Sequence, residues 1–98
     1  VYLDYEQVAA TAVVQGVDAL TIPPGANFAE LQSDTNHIRY TMTAGNPAPT
    51  IATGMLLLTT ERPKSFLLAD LLRIQFVRDG AGGVDGNLNI HYYTGREI

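Results

Sequence analysis

His37 and His91 are the two side chains in this 98-residue sequence best suited to hold a metal or move a proton near neutral pH. Each falls on the polar face of an alternating segment, so the pair could meet across a sheet with an Asp or Glu as third ligand. Neither HxH nor HxxxH spacing accompanies them, and two solvated strand histidines account for them with fewer assumptions. Ser33 and Ser65 are the only serines, and neither lies in a Gly-x-Ser-x-Gly turn of the kind that exposes a nucleophile. Carboxylates are scattered singly, and a sandwich of this size has little volume for the cleft that a glycosidase pair would line. Cysteine is absent, which removes thiolate zinc sites and thiol catalysis. The string Asp79-Gly80-Ala81-Gly82-Gly83-Val84-Asp85-Gly86-Asn87 offers calcium oxygens from Asp79, Asp85 and Asn87. It lacks the alternating acids and closing glutamate of an EF-hand, and it lacks the Lys-Ser/Thr of a phosphate loop. A long hairpin between the Leu72 and Leu88 strands is the plainer reading. The expectation is a protein that is not an enzyme, with no catalytic set, no metal and no cofactor.

Short strands separated by turns must position whatever these residues do. Turn-forming groups fall at Gln15-Gly16, Pro23-Pro24-Gly25, Ser33-Asp34-Thr35-Asn36, Gly45-Asn46-Pro47, Arg62-Pro63 and Asp79 to Gly86. Proline fixes φ, glycine supplies positive φ, and Asn, Asp and Ser bond to nearby backbone. Between them, three segments alternate clearly: Ile38, Tyr40 and Met42; Leu72, Ile74 and Phe76, with Arg73, Gln75 and Val77 opposite; and Leu88, Ile90 and Tyr92, with Asn89, His91 and Tyr93 opposite. Further strands are expected in Val8–Val14, Leu20–Ile22, Asn27–Gln32 and Met55–Thr60. The unbroken Met55–Leu58 run suggests burial on both faces or packing against a partner. Phe66–Leu72 has the alternative of a short helical turn, with Ala69 and Leu71 covering one end of the core.

Seven to eight strands without a linker predict one all-β domain over residues 1–98, an antiparallel β-sandwich with a jelly roll as one form of it. The expected core is Val13, Leu20, Ile22, Leu31, Ile38, Tyr40, Leu57, Leu72, Ile74, Phe76, Leu88 and Ile90. Residues 1–7 read as an N-terminal arm and 94–98 as a short C-terminal tail. Tyr2, Leu3, Tyr5, Tyr92 and Tyr93 are the expected partner-binding anchors. Ten acidic against six basic residues give a net charge of −4, which disfavours nucleic acid as a partner. The longest aliphatic run is far too short to span a membrane, and the acidic opening Val1–Glu6 has no basic region like that of a signal peptide.

Leu20-Thr21-Ile22-Pro23-Pro24-Gly25-Ala26, Ile38-Arg39-Tyr40-Thr41 with Pro49-Thr50, Gly54-Met55-Leu56-Leu57 and Leu88-Asn89-Ile90-His91-Tyr92-Tyr93 together resemble small accessory virion proteins of tailed bacteriophages. The resemblance spans about residues 20 to 93. It implies a β-sandwich capsid decoration (cement) protein on the outer capsid surface of the virion, with the major capsid protein as partner and a homo-oligomer, a trimer, as its working form. Arg39, Arg73 and Arg78 would then face acidic capsid surface. Ile38–Thr50 also resembles a small Ig-like module appended to chitinase-type enzymes. The alternative expectation is accordingly a carbohydrate- or receptor-binding β-sandwich module of a tail or head fibre or a secreted enzyme.

Overall fold

The computed structural model describes residues 1–42, 48–80 and 83–95. Eight strands run in chain order: β1 (Tyr2–Ala10), β2 (Gln15–Gly16), β3 (Phe28–Asp34), β4 (Ile38–Thr41), β5 (Met55–Leu57), β6 (Lys64–Leu67), β7 (Gln75–Arg78) and β8 (Gly86–Tyr93). A 3₁₀ turn at Val17–Ala19 and one helical turn, α1 (Leu68–Leu71), interrupt them. They form two antiparallel sheets, β1-β8-β3-β6 and β2-β7-β4-β5. β1 pairs with β8, β2 with β7, β3 with β6 and β4 with β5. That nesting is one long hairpin ribbon folded over on itself. The cross-links β3·β8 and β4·β7 then stitch the folded ribbon into a sandwich. The all-β sandwich expected from the sequence is therefore present, and its strand order is that of a jelly roll.

The core lies between the two sheets and follows the two-residue strand period. Ala29, Leu31 and Ser33 of β3 and Leu88, Ile90 and Tyr92 of β8 point in from the first sheet. Ile38 and Tyr40 of β4, Leu57 of β5 and Phe76 of β7 meet them from the second. Leu20, Ile22 and Met42 pack half-buried around this centre.

The glycine of the Gly54-Met55 motif has a structural reason. Its φ of +122° is open to few other residues, and a Cβ there would sit 3.1 Å from Pro49 Cβ. The expected turn at Gly45-Asn46-Pro47 lies outside the described residues.

Leu20–Ile22, expected as a strand, lies in the connection between β2 and β3, and four further expectations need correction. The strand from Leu72 to Val77 begins only at Gln75, because α1 fills the preceding positions. Leu72 N–H donates to Leu68 O at 2.9 Å and Arg73 N–H to Asp70 O at 3.0 Å. The helical turn hands the core position to Leu71, leaves Leu72 53% exposed and Ala69 exposed, and lets Phe76 and Val77 both bury. Val13 is likewise on the surface, since β1 ends at Ala10. Met55–Leu58 is not buried on both faces: Met55 is exposed and Leu57 buried, as an edge strand dictates. Finally, the Asp79–Asn87 segment joins β7 of one sheet to β8 of the other, so it is a crossover between layers and not a hairpin.

Candidate functional site

The outer face of the first sheet carries an ordered array of side chains. Its register aligns Tyr2 with Tyr93, Phe28 and Leu67 in one row. The next row is Tyr5, His91, Glu30 and Ser65. The third sets Gln7, Asn89 and Gln32 side by side. The face thus grades from aromatic and apolar at one end, through mixed residues, to three amides.

A β-bulge makes the first row possible. From Asp4 to Ala10, β1 pairs with β8 in unbroken register, but Tyr2 pairs with Tyr93 one residue out of step. Strict alternation would put Tyr2 on the opposite face from Tyr5. The extra residue at Leu3–Asp4 turns Tyr2 outward with Tyr5 and sends Leu3 toward the core. The Asp4 carboxylate accepts the Tyr5 N–H at 2.8 Å and braces the bulge.

The rings lock together. His91 lies 5.5 Å from the Tyr2 ring and 5.0 Å from the Tyr5 ring, tilted against both. Tyr2 meets Tyr93 edge-on at 5.8 Å, and Tyr93 stacks flat on Phe28 at 4.9 Å. Hydrogen bonds fix the polar groups: Tyr5 OH and Gln7 Nε2 both donate to Asn89 Oδ1, at 2.8 and 2.9 Å. Tyr93 OH donates to Glu30 Oε1 at 2.8 Å, and that bond to a carboxylate holds the Tyr93 phenol above its ordinary pKa. Between these residues and Pro63 lies an open groove of about 430 Å³, lined by Tyr5, Glu30, Gln32, Asn89, His91 and Tyr93.

Tyr2, Tyr5 and Tyr93, three of the five expected anchors, are brought together here. The other two are not. Leu3 packs against the core, and Tyr92 is 1% exposed, its hydroxyl donating to Glu6 Oε2 at 2.5 Å. Nor do residues 1–7 stand off as an arm. Tyr2–Ala10 is an edge strand, and the Val1 ammonium donates to Thr94 O at 2.6 Å while Thr94 N–H returns a bond to Val1 O. Of the expected tail, Arg96–Ile98 lies outside the described residues.

The histidines do not meet, because His91 lies on β8 of the first sheet and His37 immediately precedes β4 of the second. His37, just ahead of β4, accepts the Thr59 N–H on Nδ1 at 3.0 Å. In the glycine-rich crossover, Asp79 bridges to Arg39 at 2.7 Å and Asp85 to Arg78 at 2.8 Å, which commits two of the three proposed calcium ligands and two of the three arginines expected to face a partner. Ala81 and Gly82 of that string lie outside the described residues. Among the described residues no group of three or more His, Asp or Glu side chains is placed to share a metal ion.

No family model, curated protein or solved structure matches this chain. The site is therefore read from its own side chains. Phe28, Glu30, Gln32 and Asn89 were not singled out from the sequence. Each is an outward residue of an alternating strand, and only the register between strands reveals that they adjoin Tyr5 and His91.

Proposed function

We propose that this chain is a structural virion protein that seats on the outer surface of a phage capsid and stabilises contacts between major capsid subunits. Its support is the apolar row at the terminal end of the first sheet. Tyr2 is 50% and Leu67 54% exposed, with Tyr93 and Phe28 stacked between them, so a contiguous aromatic surface faces solvent on a rigid frame. Aromatic rings that are already packed lose little freedom on docking, which suits them as anchors. Val1 and Thr94, bonded to each other in both directions, adjoin Tyr2 and Tyr93 of this same row. A protein that binds the assembled shell and not its separated subunits shifts the equilibrium toward assembly by mass action. A trimer would place three such ends around one symmetry axis and multiply a weak contact through effective concentration.

The test is co-sedimentation with purified capsids, together with the temperature at which those capsids disrupt. Wild-type protein should sediment with the shell and raise that temperature. The double variant Tyr2→Ser, Leu67→Ser should lose binding while keeping a native β-sheet spectrum. Capsids that neither retain the wild-type protein nor gain stability from it would overturn the proposal.

A further inference from the structure

We infer that the groove beside the apolar row, formed by Tyr5, Glu30, Gln32, Asn89, His91 and Tyr93, is a binding site for a neutral carbohydrate. This goes beyond the capsid reading and does not depend on it: of the apolar row Tyr93 lines the groove, whereas Tyr2, Phe28 and Leu67 do not.

Three features of the groove select that ligand class. First, its floor is β8 and β3, the two inner strands of the sheet, and at Glu30, Asn89 and His91 the backbone is paired with a strand on both sides. Recognition must come from side chains alone, which disfavours an added peptide strand, since that mode needs a free edge. Second, the side chains suit hydroxyl groups. A sugar hydroxyl both donates and accepts, and so does an amide. Asn89 Oδ1 already accepts two hydrogen bonds, which orients the amide and leaves its Nδ2 to donate. Gln32 has no side-chain partner among the described residues. Glu30 spends Oε1 on Tyr93 and keeps Oε2 as an acceptor. Tyr5, His91 and Tyr93 supply ring surface on which the C–H face of a pyranose can pack.

Third, the charge is wrong for anions. The three rows contain no Lys or Arg, and Glu30 is their one carboxylate. A phosphorylated or acidic sugar would face an uncompensated negative charge. A volume of about 430 Å³ lies toward the small end of ligand sites, so the fitting ligand is a short saccharide.

The probes are a panel of neutral mono- and oligosaccharides (hexoses, and N-acetylated hexosamines) with sialylated and phosphorylated counterparts, titrated into the full chain. Binding is followed by the NMR shifts of the His91 ring and the Asn89 amide and by calorimetry. At least one neutral saccharide should bind saturably and move both signals. Gln32→Ala should weaken that binding roughly tenfold, as loss of one hydrogen-bonding partner implies. Asn89→Ala should weaken it further, since it also frees Tyr5 and Gln7. Leu67→Ser alone, at a residue outside the groove lining, should leave saccharide affinity intact while weakening capsid docking, which separates the two sites. The inference is overturned by no saturable binding from any neutral sugar, by tighter binding of the acidic counterparts, or by unchanged affinity in a folded Gln32→Ala protein.

Discussion

Ser33 Oγ donates to the Leu57 carbonyl at 2.8 Å, and so ties an inner strand of the first sheet to the edge strand of the second through the middle of the core. Ser33 is 2% exposed and is the one buried polar residue among those described. Sandwich layers otherwise meet through apolar packing, which is tolerant of sliding, whereas a hydrogen bond has one geometry. Ser33→Ala removes the donor and leaves the carbonyl with one partner fewer. The expected loss is about 1 kcal/mol, toward 2 if no water replaces the hydroxyl. Urea unfolding checks it: the midpoint should fall with the slope unchanged.

A second buried contact makes stability depend on alkali. Tyr92 is enclosed between the sheets, and its hydroxyl donates to Glu6, whose Oε2 also accepts the Thr21 N–H at 2.7 Å. Burial first, and then the neighbouring carboxylate, push the Tyr92 phenol far above its usual value of 10.0. Because the folded value is raised, the folded state holds this proton where the unfolded state has released it. The contribution is whole below about pH 10 and fades as pH rises beyond it. Wild-type stability should therefore decline above about pH 10. Tyr92→Phe should cost about 1–2 kcal/mol at neutral pH and flatten most of that decline, the remainder coming from Tyr93 on Glu30. Denaturant midpoints measured across that range decide it. An alkaline slope in Tyr92→Phe equal to that of wild type would show that Tyr92 does not cause the decline.

How far the sequence reveals this molecule depends on which physical rule sets each position. Alternation reads correctly wherever a strand is buried on one face, so the facing of residues in β4 and β8 is legible, although not where those strands begin. The Leu72–Phe76 pattern misled, because leucines at a helical end and in a strand look alike over so short a run. Leu71 and Leu72 exchanged roles once α1 added its turn. The candidate site was legible only in part. Tyr2, Tyr5 and Tyr93 stood out as aromatics near the ends, but an arm and an edge strand share the same composition. Leu3 is misassigned because its facing depends on the bulge, which no local pattern encodes, whereas Tyr92 shares the inward face that alternation already gives to Leu88 and Ile90. The amides Gln32 and Asn89 are silent in sequence, since outward polar residues occur on every half-exposed strand.

The bulge itself makes the sharpest claim about the site. Asp4 is the surplus residue of β1: without it, Leu3 would pair opposite Tyr92 and Tyr2 opposite Tyr93 in unbroken alternation. Deleting Asp4 should accordingly leave Tyr2, Tyr5 and His91 in contact and change stability by less than about 1 kcal/mol, in contrast to most deletions inside a strand. Deleting Gln7 should do the opposite. It would move Glu6 to the outer face and drive Tyr5 inward, breaking the Glu6–Tyr92 bond and the Tyr5–Asn89 bond together, at a cost on the order of 3 kcal/mol. The His91 ring protons report the outcome, since the flanking Tyr2 and Tyr5 rings shift their resonances. Those shifts should persist in the Asp4 deletion and lose the Tyr5 contribution in the Gln7 deletion, where Tyr2 still pairs with Tyr93. Equal loss in both proteins would mean that the bulge does not set which way Tyr2 faces.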